Sequence, residues 1–147
     1  MRRGRMESGI VADYAVIVHD GGTPTEPDWR RWLDLYRGSL PTLRGVLVYS
    51  LGGGPDAAQR GALIDLTRGW GAAPPTAIVT SSMLMRGLVT ALHWFMPAHL
   101  QAAIYPLAEL ELALEHLRVP AELRDPLRRQ LASTLERMEQ PSLGPGR

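Results

Sequence analysis

Gly52-Gly53-Gly54, ahead of Pro55 and Asp56, is the first group in this chain whose residue types and spacing could do chemistry. Glycines before a helix can aim successive backbone N–H groups, together with the positive end of the helix dipole, at an anion. The stretch is neither G-x-x-x-x-G-K-[ST] nor a complete G-x-G-x-x-G, and the chain holds no lysine, which excludes the nucleotide-binding signatures. Asp56 beside the same spot repels an anion, and a tight strand-to-helix turn accounts for the glycines equally well. The candidate ligand residues are Gly52, Gly53, Gly54, Asp56 and Ser81.

A second group comprises His19-Asp20, Ser50 and Thr80-Ser81-Ser82, each just past the carboxyl end of an expected parallel strand. Open α/β sheets place ligands on that rim. Serine, histidine and an acid gathered there would suit nucleophilic hydrolysis. Against this, the chain has no G-x-S-x-G elbow, and Ser81 or Ser82 serves as a helix cap. Adjacent His19 and Asp20 also point opposite ways if the strand runs through them. Catalysis is not expected.

The remaining histidines form no metal set: His93 lies on a helix, His99 past a proline, and His116 on an acidic helix face with Glu111 and Glu115. No metal or cofactor is expected. Arg86, Thr90 and His93, at i, i+4 and i+7, are the polar stripe of an otherwise apolar helix from Met83 to Phe95. The stripe is either that helix's solvent face or the edge of a partner interface, with Met83, Met85, Trp94 and Met96 as adaptable apolar contacts. The last helix of the chain could cover the same surface. The interface candidates are Arg60, Met83, Arg86, Thr90, His93 and Trp94.

Alternating strands and helices must position these groups. Tyr14-Ala15-Val16-Ile17-Val18 is a buried strand that Ile10 and Val11 either extend or precede as a separate one. Thr25-Glu26-Pro27-Asp28 opens a helix with a capping-box pattern, whose apolar face is Trp29, Trp32, Leu33, Tyr36 and Leu40, ended by Pro41. Val46 to Tyr49 is a second strand without alternation, as in a parallel sheet. The helix after the glycines buries Ala58, Ala62, Leu63 and Leu66 and turns Gln59, Arg60, Asp65 and Arg68 outward. Thr76 to Thr80 and Gln101 to Tyr105 are further strands. Pro106 starts a helix with a Leu107, Leu110, Leu114, Leu117 stripe, and Asp125-Pro126 starts a last one lined by Leu127, Leu131, Leu135 and Met138. The order β-α-β-α-β-α-β-α plus a final helix implies a mostly parallel sheet with helices packed on it.

The whole has the dimensions of one domain, placed at 9–140, with flexible termini at 1–8 and 141–147. Its 147 residues are 45% hydrophobic and 21% charged, an ordinary globular balance. A net charge of +1 gives no field to recruit nucleic acid. All sixteen basic residues are arginine, which fits the coding bias of a GC-rich genome. With no cysteine, disulfides and thiolate chemistry are excluded. No apolar run is long enough to span a bilayer, and a soluble, cytoplasmic protein is expected.

The run TAIVTSSMLMRGLVTALHWFMP, the short strand and acidic leucine-rich helix after it, and VLVYSLGGGPDAAQRGAL before it resemble the SpoIIAA-like (STAS/SEC14) group over Val16 to Leu117. The resemblance implies a small four- or five-stranded sheet with helices, acting as a non-enzymatic regulatory or partner-binding module. In anti-sigma factor antagonists of this type a serine at the start of a helix is phosphorylated to switch partner binding. The matching stretch here, Gly54 to Ala57, holds no serine, and Asp56 puts a fixed negative charge there. Lipid-carrying SEC14 relatives are much longer, so lipid transport is not carried over. The expectation is a regulatory or adaptor module with a protein partner or a second copy of itself. The alternative is a domain binding a small anionic or apolar ligand at the carboxyl rim.

Overall fold

Every residue of Tyr14–His19 is buried, which marks this segment as the strand around which the rest assembles. The computed structural model describes residues 3–39, 42–68, 73–81 and 102–139. Their strands are β1 (Arg3–Gly4), β2 (Met6–Val11), β3 (Tyr14–His19), β4 (Thr23–Pro24), β5 (Gly45–Ser50), β6 (Thr76–Thr80) and β7 (Ala102–Pro106). The helices are α1 (Glu26–Ser39), α2 (Ala57–Thr67), α3 (Leu110–His116) and α4 (Ala121–Glu139). Five strands form one sheet in the order β2-β3-β5-β6-β7, parallel except for β2, and β1 pairs with β4 beside it.

The sheet is covered on both faces, which is why its strands lack simple alternation of apolar and polar residues. Ala15, Ile17 and Val46 meet Trp29, Trp32 and Tyr36 of α1, with Leu63 of α2 at the margin. Val16, Val18, Leu47, Ala77 and Val79 meet Leu114 and Leu117 around α3 and Leu127 and Leu131 of α4. From β3 to β7 the strand order steps one way. Crossovers of one hand then place α1 and α2 on the same face, and no reversal of order opens a crevice between these strands.

Met6 to Ser8, expected to be part of a flexible terminus, lie in a strand instead. Met6–Val11 pairs in full with β3, and Met6 is buried against α1. The hairpin turn, Ala12-Asp13, lacks the glycine or asparagine that usually signals one, since Ala12 itself adopts φ 53°. Thr25 caps α1, its hydroxyl accepting from the Asp28 N–H at 3.3 Å. The Asp28 carboxylate accepts instead from the Met6 N–H at 3.4 Å, tying β2 to α1.

Three helix boundaries or faces differ from expectation. On α2, Ala58 and Ala62 are exposed while Gln59 is buried. Alanine burial contributes little, whereas the Gln59 amide finds a partner for each of its polar atoms. Pro106 ends β7, and a 3-10 turn, Leu107–Glu109, precedes α3. Pro126 lies inside α4, which begins at Ala121. Leu40, Pro41, the residues about Trp70 and the helix expected over 83–95 lie outside the described residues.

Candidate functional site

His19, Ser50 and Thr80 stand side by side at the carboxyl ends of β3, β5 and β6, in register from one strand to the next. With a two-residue period they share one face, that of α1, and all three are buried. The sequence therefore placed these groups correctly on one rim. What they do there is set by their hydrogen bonds.

Ser50 directs its hydroxyl into the glycine turn. Its Oγ donates to the Gly53 carbonyl at 2.6 Å and accepts from the Gly52 N–H at 3.1 Å. A hydroxyl has one proton, so Ser50 is not hydrogen-bonded as a nucleophile to His19. His19 is 3% exposed, and its Nδ1 has no hydrogen-bond partner. Burial pushes its pKa down to about 4, outweighing the opposing pull of Asp20. Asp20 faces its own loop, Oδ1 accepting from the Gly22 N–H at 3.0 Å. Serine, histidine and acid are thus neighbours without being a relay.

The glycine turn interlocks with the loop after β3. The Gly53 N–H donates to the Asp20 carbonyl at 2.7 Å, and the Leu51 N–H to that of His19 at 3.0 Å. A Cβ on Gly53 would run into the backbone of Gly22 and Asp20. Gly52 has φ 118°, a conformation left to glycine. Two of the three glycine amides are therefore donated to protein oxygens rather than arranged as an anion nest.

Asp56 caps α2 in a complete capping box: its carboxylate accepts from the Gln59 N–H at 2.8 Å, and Gln59 Oε1 accepts from the Asp56 N–H at 3.0 Å. The buried Gln59 goes further. Its Nε2 donates to the Pro24 carbonyl at 2.9 Å and to Glu26 at 3.1 Å, and its own carbonyl accepts from the Trp29 indole at 3.0 Å. The sequence reading turned this residue to solvent; the capping-box spacing of Asp56 and Gln59 was the signal available. Arg60 folds back on the Pro55 carbonyl at 2.9 Å. Ser81 is exposed, and its N–H reaches the Ser50 carbonyl at 3.4 Å. The interface candidates Met83, Arg86, Thr90, His93 and Trp94 lie outside the described residues.

The opposite end of the sheet holds a cleft that the sequence did not indicate. It encloses about 440 Å³ and is lined by Tyr14, Arg44, Pro75, His116, Leu117 and Arg118. Tyr14 is buried at its floor, the hydroxyl donating to the Leu117 and Arg118 carbonyls at 3.3 and 3.2 Å. Burial raises the pKa of this phenol against the pull of Arg44, which keeps it a donor. Arg44 lies 5.5 Å from the Tyr14 ring centre and pairs with Asp13 at 3.2 Å. The His116 ring packs against Tyr105, 6.2 Å between centres.

Glu111, five residues before His116, is taken by Arg128 through contacts of 2.7 and 2.8 Å. Among the described residues no group of three or more His, Asp or Glu is placed to hold a metal ion. Among them, too, no helix is long and apolar enough to cross a membrane. Compared with family models, with curated proteins and with solved structures, the chain finds no match in any of the three.

Proposed function

We propose that this chain is a non-enzymatic regulatory or adaptor module of SpoIIAA-like (STAS) type, acting in the cytoplasm through protein–protein contact. One observation carries the reading. At the ends of β3 and β5 the carboxyl rim, where an α/β domain of this kind would hold a ligand, is occupied by the chain's own interlocked loops. Ser50, Gly52, Gly53, Asp20 and Asp56 spend their polar groups on one another's backbone or on the cap of α2. The same loops leave Leu51 42% exposed, and Ala57 and Ala58 at the head of α2 are exposed as well. An apolar knob on a rigid turn suits contact with another protein better than turnover of a small molecule. The rim-ligand alternative gains nothing from this packing.

The test is site-specific photo-crosslinking in cells, with a benzophenone amino acid at Leu51 and, as a control, at Glu136 on the far helix. The reading expects one discrete adduct from position 51 that the control position does not give. An adduct at twice the chain mass would identify the partner as a second copy. No adduct at position 51, or the same ladder from both positions, would sink it.

A further inference from the structure

The cleft at the amino ends of the parallel strands has the features of a ligand site, and it is separate from the surface invoked above. Its volume of about 440 Å³ falls within the range of small-molecule pockets. Two segments distant in sequence bring arginines to it: Arg44 ahead of β5, and Arg118 just past α3, with His116 beside it in the sequence and also lining the cleft. Asp13 pairs with Arg44 through one guanidinium nitrogen, and no ion pair among the described residues involves Arg118.

Arg118 occupies a position that the fold would more cheaply give to glycine. The Val119 N–H bonds the Leu114 carbonyl at 3.1 Å and the Arg118 N–H bonds the Glu115 carbonyl at 2.9 Å, the Schellman ending of a helix. In that ending the residue at Arg118 must be left-handed, and its φ is 55°. A side chain there is tolerated at a cost of roughly 1 kcal/mol against glycine. That cost is borne at a residue that lines the cleft.

Five carbonyls at the helix end already accept hydrogen bonds within the protein. Those of Leu117 and Arg118 accept from the Tyr14 hydroxyl, and those of Ala113, Leu114 and Glu115 from the closing turn. Leu117, Pro75 and the Tyr14 ring add apolar surface. Next to Arg44, Gly45 lies so near the Tyr14 ring that a Cβ there would come within 3.1 Å of it.

We propose that this cleft binds a small organic oxyanion, held by the Arg44 and Arg118 guanidinium groups with its body against Tyr14, Pro75 and Leu117. Guanidinium forks match carboxylate and phosphate oxygens alike, so the shared chemistry is a planar or tetrahedral oxyanion on an apolar body.

Calorimetric titration of the full chain with phenyl phosphate, benzoate and inorganic phosphate, at constant ionic strength set with chloride, tests this. The expected result is saturable binding of phenyl phosphate or benzoate, and the tighter of the two distinguishes a phosphate from a carboxylate ligand. Arg118→Gly should weaken that binding at least about fivefold while its melting temperature stays level or rises, because glycine suits the left-handed position. Arg44→Gln should weaken it as well. If no organic probe binds beyond the chloride control, or if Arg118→Gly weakens binding by less than that factor, the proposal is overturned.

Discussion

The Ser50 hydroxyl donates to the Gly53 carbonyl at 2.6 Å, closing the glycine turn from inside the sheet. A serine on the carboxyl rim of a parallel strand thus has a structural use that removes its only proton from chemistry. Ser50→Ala leaves the Gly53 carbonyl and the Gly52 N–H without that partner in a buried setting. The expected loss is about 1–3 kcal/mol of folding stability, measured by urea unfolding. A variant as stable as the parent would show the bond to be dispensable.

Gly53 and Gly61 should respond in opposite directions to the same substitution. A Cβ at Gly53 meets backbone atoms of Gly22 and Asp20, which cannot swing aside as a side chain can. Gly53→Ala should therefore cost roughly 3 kcal/mol or more. On α2, a methyl group at Gly61 would have nothing within 4 Å of it, so Gly61→Ala should add up to about 1 kcal/mol from helix propensity. Thermal melts of the two single variants decide both. Equal shifts would contradict the interlocked loops.

How much of this was legible in the sequence depends on which signal each element carries. Tyr14–His19, Gly45–Ser50 and Thr76–Thr80 were readable because buried parallel strands are short apolar β-branched runs. The hairpin partner Met6–Val11 was not, because its turn uses Ala12 in place of glycine and its composition, MESGIV, is mixed. The α2 face was misread because two alanines outvoted one glutamine, and hydrophobic pattern says nothing about a polar residue that can satisfy all its bonds inside. His19, Ser50 and Asp20 could be placed on one rim from strand ends alone. Hydrogen-bond direction, which decides whether they form a relay, has no sequence signature. The amino-end cleft needs Arg44 and Arg118 from segments distant in sequence, a juxtaposition that only the fold supplies.

Gln59 should prove more costly to replace than the cap it belongs to. Asp56→Ala removes a helix cap, a loss of about 1 kcal/mol. Gln59→Leu keeps the volume but strands the Asp56 N–H and takes one donor each from the Pro24 carbonyl and Glu26, all against the Trp29 side of α1. The expected loss is roughly 2–4 kcal/mol. Guanidinium unfolding of the two variants should rank Gln59→Leu as the less stable. The reverse ranking would mean that water or a side-chain shift replaces those bonds.

His19 should make the fold sensitive to acid well above the range in which carboxylates titrate. Its folded pKa is about 4 against an ordinary 6.5, because burial disfavours the charged ring. The unfolded chain therefore binds a proton between those values that the folded chain does not. Stability is unaffected by His19 above pH 6.5 and declines as the pH falls toward 4, by about 3 kcal/mol in all. His19→Phe keeps a ring and removes the titration, so its stability should hold where the parent's falls. Glu111, whose pKa Arg128 lowers, gives stability that is complete above the ordinary carboxylate value and is lost as the pH falls below it, equally in both proteins. Chemical denaturation of parent and variant at about pH 7.5, 6, 5 and 4.5 separates the two groups. Parallel curves would show that the Nδ1 of His19 finds a partner on protonation, and that the buried ring is not what limits the fold in acid.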